Sequence, residues 1–157
     1  MKLLIGSDKS GFTLKENLKA MLLEQGYAVE DKGTVDVEEP MRFCDVAPVV
    51  AQAVSEGNAD RAILICGTGM GMAQVASMWK GVFAACCESV YSAKMSRAIN
   101  NSNILCLGGW VVGFEMAAEM VNVFLNTEHT QDLESWRQDF LKKALKDVLA
   151  MDNRLGK

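Results

Sequence analysis

Ile63-Leu64-Ile65-Cys66-Gly67-Thr68-Gly69-Met70-Gly71-Met72 is the stretch whose reading decides the fold. An apolar, β-branched run ends at a cysteine, and three alternating glycines follow at once. The run reads as a strand over 62–65 that delivers Cys66 to its carboxyl end. The glycines let the backbone turn tightly and aim successive N–H groups into one cleft. A helix beginning near Met70 adds the positive end of its dipole. Such surroundings favour a thiolate and an oxyanion beside it. A base next to an anion cradle is the equipment for moving a proton adjacent to a carbonyl.

Outward from this strand, strand-like and helix-like segments alternate along the chain. Lys2–Ile5, Tyr27–Glu30, the run ending at Cys66, Val82–Cys87 and Ile104–Leu107 read as five strands. Thr13–Gln25, Cys44–Glu56, Met70–Met78, Ser89–Ile99 and Gly113 to about Leu125 read as helices, and Gly26 and Gly57 stop the first two. Strands alternating with helices of this length mean parallel βαβ units with helices on both faces of one sheet. Right-handed crossovers make a Rossmann-like three-layer α/β/α sandwich the natural topology. The expected organisation is a single such domain over 1–128, followed by a helical arm over 129–157. In that arm Leu133–Met151 reads as one extended C-terminal helix. Trp136, Phe140, Leu141, Ala144, Leu145, Val148 and Leu149 form its apolar stripe. With the sheet already complete, this stripe packs across the domain or onto another subunit; a symmetric dimer is the preferred expectation.

Composition narrows the function classes. The chain has 157 residues, half of them hydrophobic, and no apolar run near the ~20 residues a membrane span needs. Its start turns polar at Ser7-Asp8, too early for a secretory signal. Five cysteines, an odd number lying mostly in apolar runs, fit reduced thiols, so the expected setting is cytoplasmic. There is one histidine, His129, and no C-x-x-C pair, so no metal site is expected. A formal charge of −4 without a basic block argues against nucleic acid as the partner.

Ligands of open α/β sheets sit outside the carboxyl ends of the strands. Gly6-Ser7-Asp8-Lys9-Ser10-Gly11, the Cys66 loop and the region around Glu88 converge there. Asn100-Asn101-Ser102-Asn103 follows a helix and lies at the opposite end, so it reaches a site only by entering a neighbour's. Cys66 is either a functional thiol or a buried small hydrophobe. The glycines do not make a dinucleotide fingerprint, which needs G-x-G-x-x-G after the first strand, nor a P-loop, which ends in Gly-Lys-Ser/Thr. Asp8 either binds a sugar hydroxyl or caps a helix. Lys9, Lys94, Arg97 and Arg137 are candidate phosphate ligands, each equally at home on a solvated helix face. His129 reads as solvent-facing, and Cys86-Cys87 as buried strand.

These residues together resemble the ribose-5-phosphate isomerase B and galactose-6-phosphate isomerase family over about residues 1–128. The anchors are Gly6-Ser-Asp8 with Gly11-Phe12, Gly26-Tyr27 with Gly33-Thr34, Ala59 through Met72, Ser92 through Arg97, Asn100, and Asn103 through Gly108. The resemblance implies a homodimer or homotetramer with active sites shared between subunits. It also implies aldose–ketose isomerisation of a sugar phosphate through an enediolate, with no cofactor. Carried onto this chain, Cys66 is the base. Thr68 and the amides of Gly67, Gly69 and Gly71 steady the enediolate, Asp8 holds hydroxyls, Phe43 lines the site, and Asn100 comes from the partner subunit.

The departures from the family pattern bear on the substrate. Lys9 and Ile99 stand where the family has histidines, the second of which opens a sugar ring. Where the family has an Arg-His-x-x-Arg-like phosphate grip, this chain has Arg137 and then Leu141. Isoleucine cannot protonate a ring oxygen, and a four-carbon sugar 4-phosphate cannot form a furanose. The expectation is therefore a short or acyclic substrate such as erythrulose 4-phosphate, with Lys9 a new phosphate or hydroxyl contact. Ribose 5-phosphate or a hexose 6-phosphate is the alternative substrate. A non-catalytic sugar-phosphate-binding partner of a paralogous subunit is the alternative class.

Overall fold

A computed structural model describes residues 1–155. Five parallel strands form one sheet: β1 (Leu3–Ser7), β2 (Val29–Asp31), β3 (Arg61–Cys66), β4 (Ala84–Cys86) and β5 (Ile104–Gly108), in the order β2-β1-β3-β5-β4. The connecting helices are α1 (Phe12–Glu24), α2 (Phe43–Ser55), α3 (Met70–Ala76), α4 (Val90–Ala98) and α5 (Phe114–Asn126), and α6 (Ser135–Met151) closes the chain. Successive side chains of a strand point to opposite faces, and here each face finds its own helices. Leu3, Ile5, Ile63, Ile65, Leu105 and Leu107 pack with α1, α4 and α5. Leu4, Ala62, Leu64, Cys66, Ile104 and Cys106 pack with α2 and α3. Because both faces are covered, the central strands are apolar throughout rather than alternating. The expected α/β/α sandwich is what forms.

The edge strands are shorter than the sequence suggests. Gly26 takes φ +84° and Tyr27 N–H donates back to Leu22 O at 3.0 Å, so β2 starts only at Val29. Phe83 N–H is taken by the Asn103 side chain at 2.8 Å, which leaves β4 three residues long. Strand order reverses between β1 and β3. That switch point places the carboxyl end of β1, with Asp8, beside that of β3, with Cys66.

α6 has no buried residue. Trp136 and Phe140 are 70% and 63% exposed. Its far end is nevertheless clipped to the body. Gly81 N–H donates to Asp152 Oδ2 at 2.7 Å, and Arg154 donates to Ser77 O at 2.6 Å and Val82 O at 3.0 Å. Among the described residues no helix is long and apolar enough to cross a membrane.

Candidate active site

The cysteine loop is shaped by its glycines. Gly69 takes φ +79°, in the left-handed region, and a Cβ there would stand 2.9 Å from the Leu107 carbonyl carbon. This turn brings Gly69 N–H to Cys66 Sγ at 3.1 Å. Cys66 is 5% exposed, while Thr68 lies at the surface above it. An amide aimed at sulfur gives the side chain a fixed donor and holds it in one orientation at the end of β3. Cys86 Sγ donates to Thr68 O at 3.6 Å and so braces the same turn. Burial first, then the neighbouring Cys87 and Glu88, push the Cys86 pKa up, which keeps it a neutral donor.

Around this floor the structure gathers several of the expected residues. Asp8 N–H donates to Ile65 O at 3.2 Å, which fixes the carboxylate next to the cysteine strand. Its Oδ1 accepts Gly11 N–H at 3.1 Å, so one oxygen serves the start of α1 as a cap would. Phe43, 38% exposed, lays its ring on Gly71; a Cβ there would be 3.1 Å from the ring. Lys9 is exposed on the turn beside Asp8. Trp110 packs on the cysteine loop, a contact that sequence reasoning did not find. Its N–H donates to Gly67 O at 3.0 Å, and a Cβ on Gly67 would stand 2.7 Å from the indole. The only local signal for it is an aromatic after Gly108-Gly109 at a strand end.

Two expected residues are elsewhere. Asn100 is exposed at the amino end of β5, a strand length or roughly 13 Å from the Cys66 end. It shares a groove of about 430 Å³ with Ile99, Leu141 and Leu145, between α6 and the body. Arg137 is half-buried on α6, and among the described residues its guanidinium has no ion pair. Within one chain neither meets Cys66.

Arg97 is structural in this fold, not free for phosphate. Arg97 is buried and donates to Thr127 O at 3.2 Å, Asn101 Oδ1 at 3.0 Å and Ser102 O at 2.6 Å. Burial, with Arg61 nearby and Glu128 opposing, pushes its pKa down to about 10. Lys94 pairs with Asp132 at 3.2 Å. His129 is half-buried rather than solvent-facing, with Nε2 buried and without a partner. Burial lowers its pKa, a hydrogen bond with the Ile99 backbone opposes that, and Arg97 and Lys142 add to the lowering. Cys87 is buried as expected, whereas Cys86 is exposed. Among the described residues no three His, Cys, Asp or Glu side chains group to hold a metal ion.

A thiol at the switch point of a parallel α/β sandwich, held by the Gly69 amide, defines the class, and known structures share the fold. The chain superposes on ribose-5-phosphate isomerase B of Clostridium thermocellum with TM-score 0.83 and 37% identity, over 97% of this chain and 100% of that one. The protein belongs to the ribose/galactose isomerase family, whose profile matches residues 3–140. It is 54% identical to a 4-deoxy-4-sulfo-D-erythrose isomerase of Clostridium sp. (strain MSTE9), over 99% of this chain and 98% of that protein. It is 41% identical to D-erythrulose-4-phosphate isomerase 2 of Mycolicibacterium smegmatis, over 82% of this chain and 86% of that protein.

Proposed function

We propose that this chain is an aldose–ketose isomerase of a four-carbon sugar with an anionic group on C4, and that the group is a sulfonate. The observation that carries the reading is the Cys66 thiol held by Gly69 N–H at 3.1 Å beside Asp8. The Cys66 sulfur takes the proton from the carbon next to the carbonyl and returns it to the former carbonyl carbon, while the hydroxyl proton passes from the old hydroxyl oxygen to the old carbonyl oxygen. Thr68 and the amides of Gly67 and Gly71 steady the intervening enediolate, while Gly69 N–H serves the sulfur. Asp8 offers its second oxygen to substrate hydroxyls, and Phe43 closes one side. Base and oxyanion donors each supply a few kcal/mol of barrier lowering.

Substrate length follows from Ile99. A sugar of four carbons with C4 substituted has no free O4, so no ring forms and no acid is needed to open one. The relatives that act on 4-deoxy-4-sulfo-D-erythrose and D-erythrulose 4-phosphate support that length. The higher identity and near-complete coverage of the sulfonate enzyme support the sulfonate. A sulfonate carries one negative charge where a phosphate monoester carries about −1.5 to −2, and Arg137 without a second arginine at Leu141 suits the smaller charge.

The body over 1–128 then holds the chemistry and the arm over 129–157 completes it in a second copy of the chain. The exposed face of α6 and the distance of Asn100 and Arg137 from Cys66 support a homodimer with shared sites. The experiment is NMR in heavy water with four-, five- and six-carbon sugar phosphates and the four-carbon sulfonate, with Cys66→Ala as control. Deuterium next to the carbonyl, together with the isomer, from the four-carbon substrates and abolished by the substitution, is the expected result. Binding without exchange on any substrate would replace the isomerase by a binding subunit.

A further inference from the structure

Trp110 is 74% exposed, yet it is fixed in place. Gly109 N–H donates to Cys66 O at 2.8 Å and Trp110 N–H to Gly67 O at 3.0 Å, so the chain past β5 stays laddered to the cysteine loop. The indole lies over Gly67, the residue after the base. The same turn abuts the loop that carries Lys9: a Cβ on Gly109 would stand 2.8 Å from Ser10 O and 3.3 Å from Gly11 Cα. A large aromatic on a tethered backbone thus stands open to solvent over the residue after the cysteine, on a turn that abuts the loop carrying the exposed Lys9. The packing of the single chain does not account for it, because the ring covers almost no core.

Building on the four-carbon isomerase reading, we propose that Trp110 is a specificity-determining residue: its indole forms the wall for the substrate's terminal anion and selects sulfonate over phosphate. The face of an aromatic ring is electronegative, so it repels a second negative charge. Indole offers a single N–H donor and no acceptor. A phosphate dianion has strong acceptor oxygens that must exchange water for protein donors, and an indole wall leaves them short. A sulfonate has one charge and weaker acceptors. Lys9 neutralises that charge, and the apolar wall costs it less.

The test compares kcat/KM for 4-deoxy-4-sulfoerythrulose and erythrulose 4-phosphate in the wild type, Trp110→Phe and Trp110→Arg. Trp110→Arg is expected to raise the phosphate-to-sulfonate ratio by about tenfold or more, the effect of one hydrogen bond to a charged group. The change should appear mainly in KM, because the base is untouched. Trp110→Phe keeps the wall and is expected to keep the preference for sulfonate. In the wild type, sulfonate is expected to change the indole fluorescence, and Trp110→Phe is expected to remove that change. An unchanged ratio in Trp110→Arg, with circular dichroism intact, would overturn the proposal. So would a loss of oligomeric mass in that variant, which would make Trp110 a subunit contact. If the wild type exchanges no deuterium, the isomerase reading fails instead, and the ratio of binding constants for the two anions still decides the role of Trp110.

Discussion

Lys15→Met is the substitution whose consequences the structure defines most fully. The Lys15 side chain has no exposed surface, and its ammonium meets Asp31, Glu16 at 2.6 Å and Thr34 O at 2.6 Å, with the Phe12 ring centroid at 5.2 Å. Methionine matches the stem and deletes the charge. Removing one partner of a buried pair costs roughly 3–5 kcal/mol. Here Asp31 keeps Lys19 at 2.7 Å and Gly33 N–H at 3.0 Å, so the loss falls below that range. Adding about 1 kcal/mol for the orphaned Thr34 carbonyl gives ~2–4 kcal/mol. For a chain of this size that is a fall in Tm of about 5–12 °C. Urea unfolding at fixed protein concentration measures it. The pH dependence is a second check. Burial alone would raise the Asp31 pKa, but hydrogen bonds from Lys15, Lys19 and Gly33 N–H outweigh it and hold it below the ordinary value. A carboxyl lowered in the folded state adds stability above its unfolded pKa and loses it as pH falls through the folded one. The variant should therefore show a shallower acid limb than the wild type. A loss under 1 kcal/mol together with an unchanged acid limb would refute the ion-pair reasoning.

Three further outcomes follow from the fold. Ile99→His is expected to raise activity on ribose 5-phosphate by about tenfold or more, a part of the ~10²–10⁴ a positioned acid contributes; no gain in an NMR isomerisation assay would remove ring opening from the argument. Trp136→Glu combined with Phe140→Glu, at positions 70% and 63% exposed, is expected to dissociate the proposed homodimer without loss of helical circular dichroism; an unchanged mass in light scattering would take α6 out of the proposed interface. Asp152 is held well below the carboxylate range, first by the Arg154 guanidinium and then by Gly81 N–H, so the C-terminal clip persists until strongly acid pH. Asp152→Asn should open it at neutral pH, read as faster amide exchange at Gly81.

The sheet and its connections were legible because the code for them is local. A buried parallel strand is continuously apolar, a crossover helix has its own period, and Gly26 and Gly57 mark the ends of α1 and α2. The cysteine loop was legible for a related reason: Gly69 answers a backbone demand, so the sequence states it directly. What escaped depends on partners far along the chain. Arg97 looks like a free cation until Thr127 and Ser102 offer it carbonyls in the interior. Trp110 looks like an ordinary loop aromatic until the ladder past β5 lays it on Gly67. Cys86 sits at an edge where β4 pairs only with β5, so its thiol faces out and braces Thr68.

Two of the positions that depart from the family pattern, Ile99 and Leu141, share a direction. Cys66 and its glycines, to which the proposed mechanism gives the proton transfer, keep the family's residues. Ile99 removes the acid a ring would require, and Leu141 removes one cation from the anion grip. A chain losing its activity would be expected to lose the base as readily as the groups that hold the far end of the substrate. Here the cysteine and its glycines are intact, while Ile99 and Leu141 change toward a shorter substrate or a smaller charge and Lys9 brings a new cation beside Asp8. That asymmetry favours an isomerase of altered specificity over a non-catalytic binding subunit, because selection for binding alone has no reason to hold a thiol 3.1 Å from a turn amide.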